Sequence, residues 1–336
     1  MSFFYLIAAA FTLAVCLAAH RMGLLLGVVD SPDGIRKTHE VDTPLVGGIA
    51  SILPFVGSSI FYGSHSGYAP LYFTLAAVAG GSLVLGYVDD RVHVKPLWRL
   101  ILSAAICVGA LYAVPALRIE AFTFSFSSLP VFLYGWATLF TVICLVGLQN
   151  AVNMADGRNG LVLGLSLIWV ICLLAYAPSH LTPLLVVLGI SISIAMPFNL
   201  RGRLFLGDSG AYALSTGIGI LAVYVYGVKF SVLSADIVAL WFLVPILDCL
   251  RLMVTRVLAG RSPFNSDRNH LHHILNGVMP WNRALAFYLL LVAVPAGLAY
   301  IFPDKALLWA FLTTTIYGVL IFFAARGLTH HRLSAL

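Results

Sequence analysis

Apolar residues run through this chain in long stretches, and polar residues gather in short clusters between them. Eleven stretches approach the length of a membrane-crossing helix: roughly 3–20, 45–62, 70–88, 97–117, 131–149, 160–178, 182–198, 209–228, 236–256, 283–302 and 305–325. Such a helix needs about 20 mostly apolar residues. The pattern predicts an all-α polytopic membrane protein of about eleven transmembrane helices, one integral membrane domain over residues 1–336. The first stretch does not read as a cleavable signal, because it lacks a basic start and its basic residue, Arg21, follows the apolar run.

Composition agrees. The chain is 61% hydrophobic and 10% charged, against about 25% charged for a soluble domain. With eleven spans, one side of the bilayer receives only Arg118, Lys229 and Lys305, and the other receives 16 of the 19 lysines and arginines. The positive-inside rule makes the basic side cytoplasmic, with the N-terminus outside and the C-terminus inside. This placement accounts for the net charge of +6 without nucleic acid. It suits anionic headgroups and anionic substrates. Five cysteines, Cys16, Cys107, Cys144, Cys172 and Cys249, lie in apolar segments without a CxxC pair, and read as small core hydrophobes rather than disulfides or zinc ligands.

Charge near lipid is costly, so its location is informative. The clusters fall in loops 21–44, 89–99, 150–160, 199–208 and 257–282, all on the predicted cytoplasmic side. Asp89-Asp90 can share a divalent cation, or form a solvated helix end balanced by Arg91, Lys95 and Arg99. Asn150, Asn153, Asp156 and Asn159 crowd four oxygen-bearing side chains into ten positions; helix capping explains one of them, not four. Asn199 and Asp208 bracket a turn in which Arg201 and Arg203 serve equally as topology anchors. There Phe205 either stacks on a base or packs, and sequence favours packing. Asp248 lies inside an apolar run with Arg251 three residues on, a spacing that puts both on one helix face, as a structural pair or a substrate contact. Arg268, His270, His272 and His273 suit phosphate oxygens better than a hard cation, which prefers oxygen ligands. His330 and His331 read as tail.

Several ordered motifs carry a resemblance. Arg36 to Glu40 (RKTHE) with Pro44 to Gly48 (PLVGG), Asp89-Asp90, Asn150 to Gly157 (NAVNMADG), Phe205 to Gly210 (FLGDSG) and Ser262 to His273 (SPFNSDRNHLHH) resemble the polyprenyl-phosphate N-acetylhexosamine-1-phosphate transferases, and most of all the bacterial branch acting on undecaprenyl phosphate and GlcNAc 1-phosphate. The resemblance implies attack of the lipid phosphate on a UDP-N-acetylhexosamine, release of UMP, and a lipid diphosphate sugar that starts an envelope glycan of the O-antigen type. It implies Mg²⁺, or Mn²⁺ in its place, with Asp208 as leading ligand and Asp89, Asp90 and Asp156 beside it. His270, His272, His273 and Arg268 would hold the diphosphate. Asn153, Asp156 and Phe205 would contact uridine, with Asn150, Asn159 and Asn199 also on the substrate side. Lys37 and His39 would lie near the lipid phosphate. A bacterial inner-membrane location with a cytoplasmic site follows, as do membrane lipids as partners; a homodimer stays open. One position departs from the family's NxxDGxDG pattern, since Asn159 stands where a second carboxylate is usual. The rival class is a transporter or lipid flippase, which tends to place polar groups near the midplane and to show repeats.

Overall fold

The sequence Gly207–Val228 is apolar with small residues on every side, Gly210, Ala211, Ala213, Ser215, Gly217 and Gly219 among them. A helix apolar all round is buried, and small residues let neighbouring backbones approach closely. A computed structural model, which describes residues 2–31, 42–264, 267 and 269–333, bears this out: Ser209 to Tyr226 are buried without interruption. The chain divides into two compact units, Met1–Phe122 with Val131–Val232, and Thr123–Pro130 with Leu233–Leu336.

The first unit holds α1 (Ser2–Leu17), α2 (Ala19–Leu26), β1 (Val29–Asp30), β2 (Thr43–Pro44), α3 (Gly47–His65), α4 (Ala69–Val92), α5 (Pro96–Ala113), α6 (Ala137–Ala155), α7 (Leu161–Tyr176), α8 (Thr182–Leu200) and α9 (Gly207–Val228). Between α5 and α6, β3 (Ala121–Phe124) pairs with β4 (Ser127–Phe132). β1 and β2 are antiparallel, with Val29 opposite Pro44 and Asp30 opposite Thr43. The second unit holds α10 (Ala235–Leu258), α11 (Leu271–Val278), α12 (Trp281–Ile301) and α13 (Ala306–Leu333). Within it Asp236, in the first turn of α10, accepts the Ser125 N–H at 3.0 Å and the Ser125 hydroxyl.

Each of the eleven apolar stretches falls on a helix, yet among the described residues eight helices are long and apolar enough to cross a membrane, or nine if α1 and α2, bent by 73°, form one span. The differences have physical causes. With 16 residues, α7 is about 24 Å long, short of a hydrocarbon core of about 30 Å. Helix α3 is diluted by Gly47, Gly48, Gly57, Gly63, Ser51, Ser58 and Ser59. Of the cysteines, Cys16, Cys107 and Cys249 are buried as expected, Cys172 is half-buried and Cys144 is exposed; a thiol is apolar enough for a lipid-facing surface too.

Two features hold α9 in register with its neighbours. The first N–H groups of a helix lack partners within it; in α3, Gly47 and Gly48 donate theirs to the carbonyls of Phe205 and Leu206 at 2.9 and 3.1 Å. Phe205 in turn donates its N–H to Pro44 at 2.9 Å, so the turn before α9 is tied to β2 and α3. On the other side α4 passes against the start of α9 at Gly86, where an added Cβ would meet the Asp208 carbonyl oxygen at 2.3 Å and Ser209 Cα at 2.4 Å. No residue but glycine permits that approach, and it sets Asp89 and Asp90, a turn further along α4, beside Asp208.

Candidate active site

The first unit's site is built around the opening turn of α9. Asp90 accepts the backbone N–H groups of Asp208 and Ser209 at 2.8 and 3.0 Å. A carboxylate from another helix thus does the work of an N-cap, and it sits at the positive end of the helix dipole. Gly207 has φ +72°, and a Cβ there would meet Asp90 Oδ2 at 2.8 Å, so the Gly-Asp pair is required by backbone and by space. Asp208 points its side chain to α6, where Asn153 Nδ2 donates to Oδ1 at 2.5 Å.

Asp89 is placed differently from its neighbour. Its Oδ1 accepts the Val94 N–H at 2.8 Å, and its Oδ2 accepts Arg99 Nη1 at 3.0 Å and the Tyr212 hydroxyl at 2.6 Å. Arg99 also donates to the Tyr212 oxygen at 3.1 Å. Asp89 is buried, and its oxygens are engaged in tying α4, α5 and α9 together. The two adjacent aspartates divide the work: Asp90 fixes the start of α9, and Asp89 ties its second turn through Tyr212.

Asp156 follows α6 as its C-terminal cap residue. Burial, then repulsion from the Asp208 and Asp90 carboxylates, pushes its carboxyl up to about 8. Repulsion of this kind marks a place where a cation is welcome. Asp90, Asp156, Asp208 and the nearby amides offer only hard oxygen donors, the chemistry of a Mg²⁺ site. Among the described residues, however, no group of three or more His, Cys, Asp or Glu side chains could hold a metal ion. The donor set fits a cation whose other ligands come with a substrate.

The amides fall into two kinds. Asn199 is buried; its Oδ1 accepts the Gly160 N–H at 2.6 Å and its Nδ2 donates to the Leu204 carbonyl at 3.0 Å. It therefore staples the 157–160 turn to the turn before α9. Asn150 donates to the carbonyl of Val146, four residues back, at 2.8 Å. Asn153 reaches Asp208, and Asn159 lies by Gly202, its Nδ2 3.7 Å from where a Gly202 Cβ would stand. Phe205 is half-buried, while Arg201 and Arg203 are exposed, as anchors would be. Lys37, His39 and Arg268 lie outside the described residues.

In the second unit His270, His272 and His273 form one cluster. The rings of His270 and His272 stack with centroids 5.3 Å apart, and those of His272 and His273 lie 4.3 Å apart. His270 and His272 are buried and His273 half-buried. Asp248 and Arg251 pair at 2.9 Å, as their spacing predicts, but Asp248 also meets His270 Nδ1 at 2.9 Å. Sequence reading missed that partner, since 22 residues separate the two. Arg256 holds the loop as well, donating to Asp267 Oδ2 and to the Pro263 carbonyl, each at 2.8 Å. That ion pair, set against the cost of burial, holds the Asp267 carboxyl below its usual range.

Sequence reading also missed the rung beneath the acids. Gln149 Nε2 donates to Ser103 at 2.8 Å and Thr216 donates to Gln149 Oε1 at 3.0 Å, all three buried. A signal was present: Asp208, Tyr212 and Thr216 recur every four residues on α9, as Gln149 and Asn153 do on α6.

Fold and site together define a polytopic membrane protein with an acid-lined site at the start of a buried helix. Residues 72–226 match the model of glycosyl transferase family 4, a segment containing Asp89, Asp90, Asn153, Asp156 and Asp208. The chain is 27% identical over 334 residues to the undecaprenyl-phosphate alpha-N-acetylglucosaminyl 1-phosphate transferase of Salmonella typhi, covering 93% of this chain and 88% of that one. The protein of the same name from Escherichia coli (strain K12) is 28% identical over 277 residues, 79% of this chain and 73% of that one. A probable undecaprenyl-phosphate N-acetylglucosaminyl 1-phosphate transferase of Bacillus subtilis (strain 168) is 26% identical over 309 residues, 90% and 84%. The resemblance read from the motifs is borne out by these matches.

Proposed function

We propose that this protein transfers an N-acetylhexosamine 1-phosphate, GlcNAc 1-phosphate being the leading choice, from a UDP-sugar to undecaprenyl phosphate, with release of UMP. The observation that carries the reading is the set of carboxylates Asp90, Asp156 and Asp208 at the start of α9: Asp90 accepts the Asp208 N–H at 2.8 Å, and burial first, then repulsion from Asp208 and Asp90, raises the Asp156 carboxyl. The named activity of the relatives supports it, and none of those relatives is a transporter by name.

Transfer between two anions needs charge neutralisation and alignment more than a strong base. Mg²⁺, held by Asp208 with Asp90 and Asp156 beside it, would neutralise the diphosphate. Asp208 is held in one rotamer by Asn153, and the opening of α9 is held by Asp90, so the ligand arrives at a prearranged oxygen. Positive charge beside Asp156 would offset the repulsion that raises its carboxyl and favour the ionised form. The nucleophile is a phosphate monoester with a second pKa of about 6, so no side chain has to deprotonate it. The histidine cluster of the second unit supplies N–H donors for phosphate oxygens.

The basic bias supports eleven crossings and a cytoplasmic site, and the bacterial sources of the named relatives support a bacterial inner membrane. A cysteine introduced at Ser262, exposed just after α10, in a background lacking the five native cysteines, should resist a membrane-impermeant thiol reagent in intact cells and react after permeabilisation. For the reaction, detergent-solubilised protein with UDP-GlcNAc, undecaprenyl phosphate and Mg²⁺ should release UMP. Absence of UMP with every UDP-N-acetylhexosamine offered sinks the reading, because a transporter needs a sealed vesicle and a transferase does not.

A further inference from the structure

Asp248 is one of the few ionised residues set inside an apolar helix, and nothing in the acid-lined site uses it. It is buried on α10 and gathers four donors. Oδ1 accepts Arg251 Nη2 and the Tyr317 hydroxyl, each at 2.9 Å. The Leu271 N–H lies 3.2 Å from both oxygens. Oδ2 meets His270 Nδ1 at 2.9 Å. Arg251 adds two further ties, donating Nε to the Tyr317 oxygen at 2.7 Å and Nη2 to the Asn269 carbonyl at 2.6 Å. The carboxylate thereby joins α10, α13 and the start of α11.

The protons can be assigned by elimination. An ionised carboxylate only accepts hydrogen bonds, and a guanidinium beside it keeps it ionised. His270 Nδ1 must therefore be the N–H donor toward Asp248. Fixing one ring nitrogen fixes the role of the other: Nε2 is the atom left for a ligand, as acceptor in the neutral ring and as donor in the imidazolium. His270 is also the N-cap residue of α11, and its backbone carbonyl accepts the N–H groups of His273 and Ile274 at 3.0 Å each. Both the ring and the backbone of this histidine are held, and Asp248 holds the ring.

We propose that Asp248 is a positioning residue that acts through His270: with Tyr317 and Arg251 as its own supports, it fixes the Nδ1 proton and orients Nε2 toward a phosphate oxygen. The proposal deepens the transferase reading and rests on it. The phosphate oxygen belongs to the nucleotide-sugar diphosphate or to the lipid phosphate, and kinetics with each substrate varied in turn distinguishes them. At metal sites, a partner that orients a ligating histidine is commonly worth about 10–100-fold in affinity or activity, and the same scale is expected here.

The test is a double-mutant cycle on UMP release by the full chain in detergent, with the melting temperature read on the same preparations. Asp248→Asn and His270→Ala should each lower kcat/KM, Asp248→Asn by about 10–100-fold. The combination should be no worse than His270→Ala alone, because a residue acting only through His270 has nothing left to act on. A loss that falls on the KM for the UDP-sugar, or on that for undecaprenyl phosphate, names the phosphate concerned. Tyr317→Phe, which removes one support and keeps the carboxylate, serves if Asp248→Asn does not fold. It should lower kcat/KM in the wild-type background and have no effect beside His270→Ala. Losses that multiply in the double variants, or full activity in His270→Ala, overturn the proposal. Failure of the wild-type chain to release UMP is a different result, and falls on the transferase reading instead.

Discussion

The Asp90 carboxylate accepts the backbone N–H of Asp208 at 2.8 Å, across 118 residues of sequence. One acid thus fixes the backbone of another, and the bond to Ser209 at 3.0 Å completes the cap. Asp90→Asn keeps one oxygen for these two donors and turns an NH₂ toward the other. We expect a stability cost of about 1–2 kcal/mol, within the range for lost caps, seen as a lower melting temperature together with lost activity. An unchanged melting temperature would remove the capping role.

Asp208→Asn should leave the fold in place, since Asn153 can still hydrogen-bond to an amide oxygen. A hard cation loses a charged ligand, so the Mg²⁺ requirement should rise and kcat should fall by about 10²–10³, the usual scale for a lost electrostatic contact to the reacting phosphate. Titrating Mg²⁺ against UMP release checks both. A normal rate at low Mg²⁺ would take Asp208 out of the cation site.

For Asp156 the prediction concerns pH. Its folded carboxyl sits near 8 against an ordinary 3.8. A raised acid binds its proton more tightly when folded, so its effect on stability grows more unfavourable as pH climbs from about 4 to about 8. In chelator, Asp156→Asn should raise the melting temperature above pH 8 and have little effect near pH 4. Saturating Mg²⁺ should shrink the difference. A melting gain that is flat with pH would contradict the repulsion.

Gly86→Ala tests the approach of α4 to α9. The added methyl would stand 2.3 Å from the Asp208 carbonyl, and backbone cannot yield as a side chain can. A cost of about 1–3 kcal/mol is expected from overpacking, with activity lost beyond what unfolding explains because the acids are displaced. Gly80→Ala on the same helix, where a Cβ meets nothing within 4 Å, is the control and should be close to neutral.

Asn159→Asp restores the carboxylate that the family's pattern carries. With Asp156 already repelled by two acids, a further negative charge in that turn should raise the KM for the UDP-sugar while kcat stays within a few-fold. Steady-state kinetics with the sugar nucleotide varied decides it. A large gain in kcat would mean that the amide had impaired the site.

The one-dimensional pattern alone carried the membrane class, where the helices lie, and which short loops gather the polar residues. Burial in lipid demands long apolar runs, and charge is excluded from them, so the one-dimensional pattern is nearly a map of the bundle. The polar clusters that hold Asp90, Asp156, Asp208 and the three histidines stood out for that reason. The tertiary structure decided what each acid does. Asp89 and Asp90 are adjacent, yet one is spent on Arg99 and Tyr212 and the other on α9, because neighbouring residues on a helix point about 100° apart. The stapling by Asn199 was hidden for the same kind of reason: its partners, Gly160 and Leu204, are backbone groups that no side-chain pattern announces. Gly86 and the Asp248–His270 pair were likewise invisible, since a close approach or a hydrogen bond between distant segments exists only once the helices have packed.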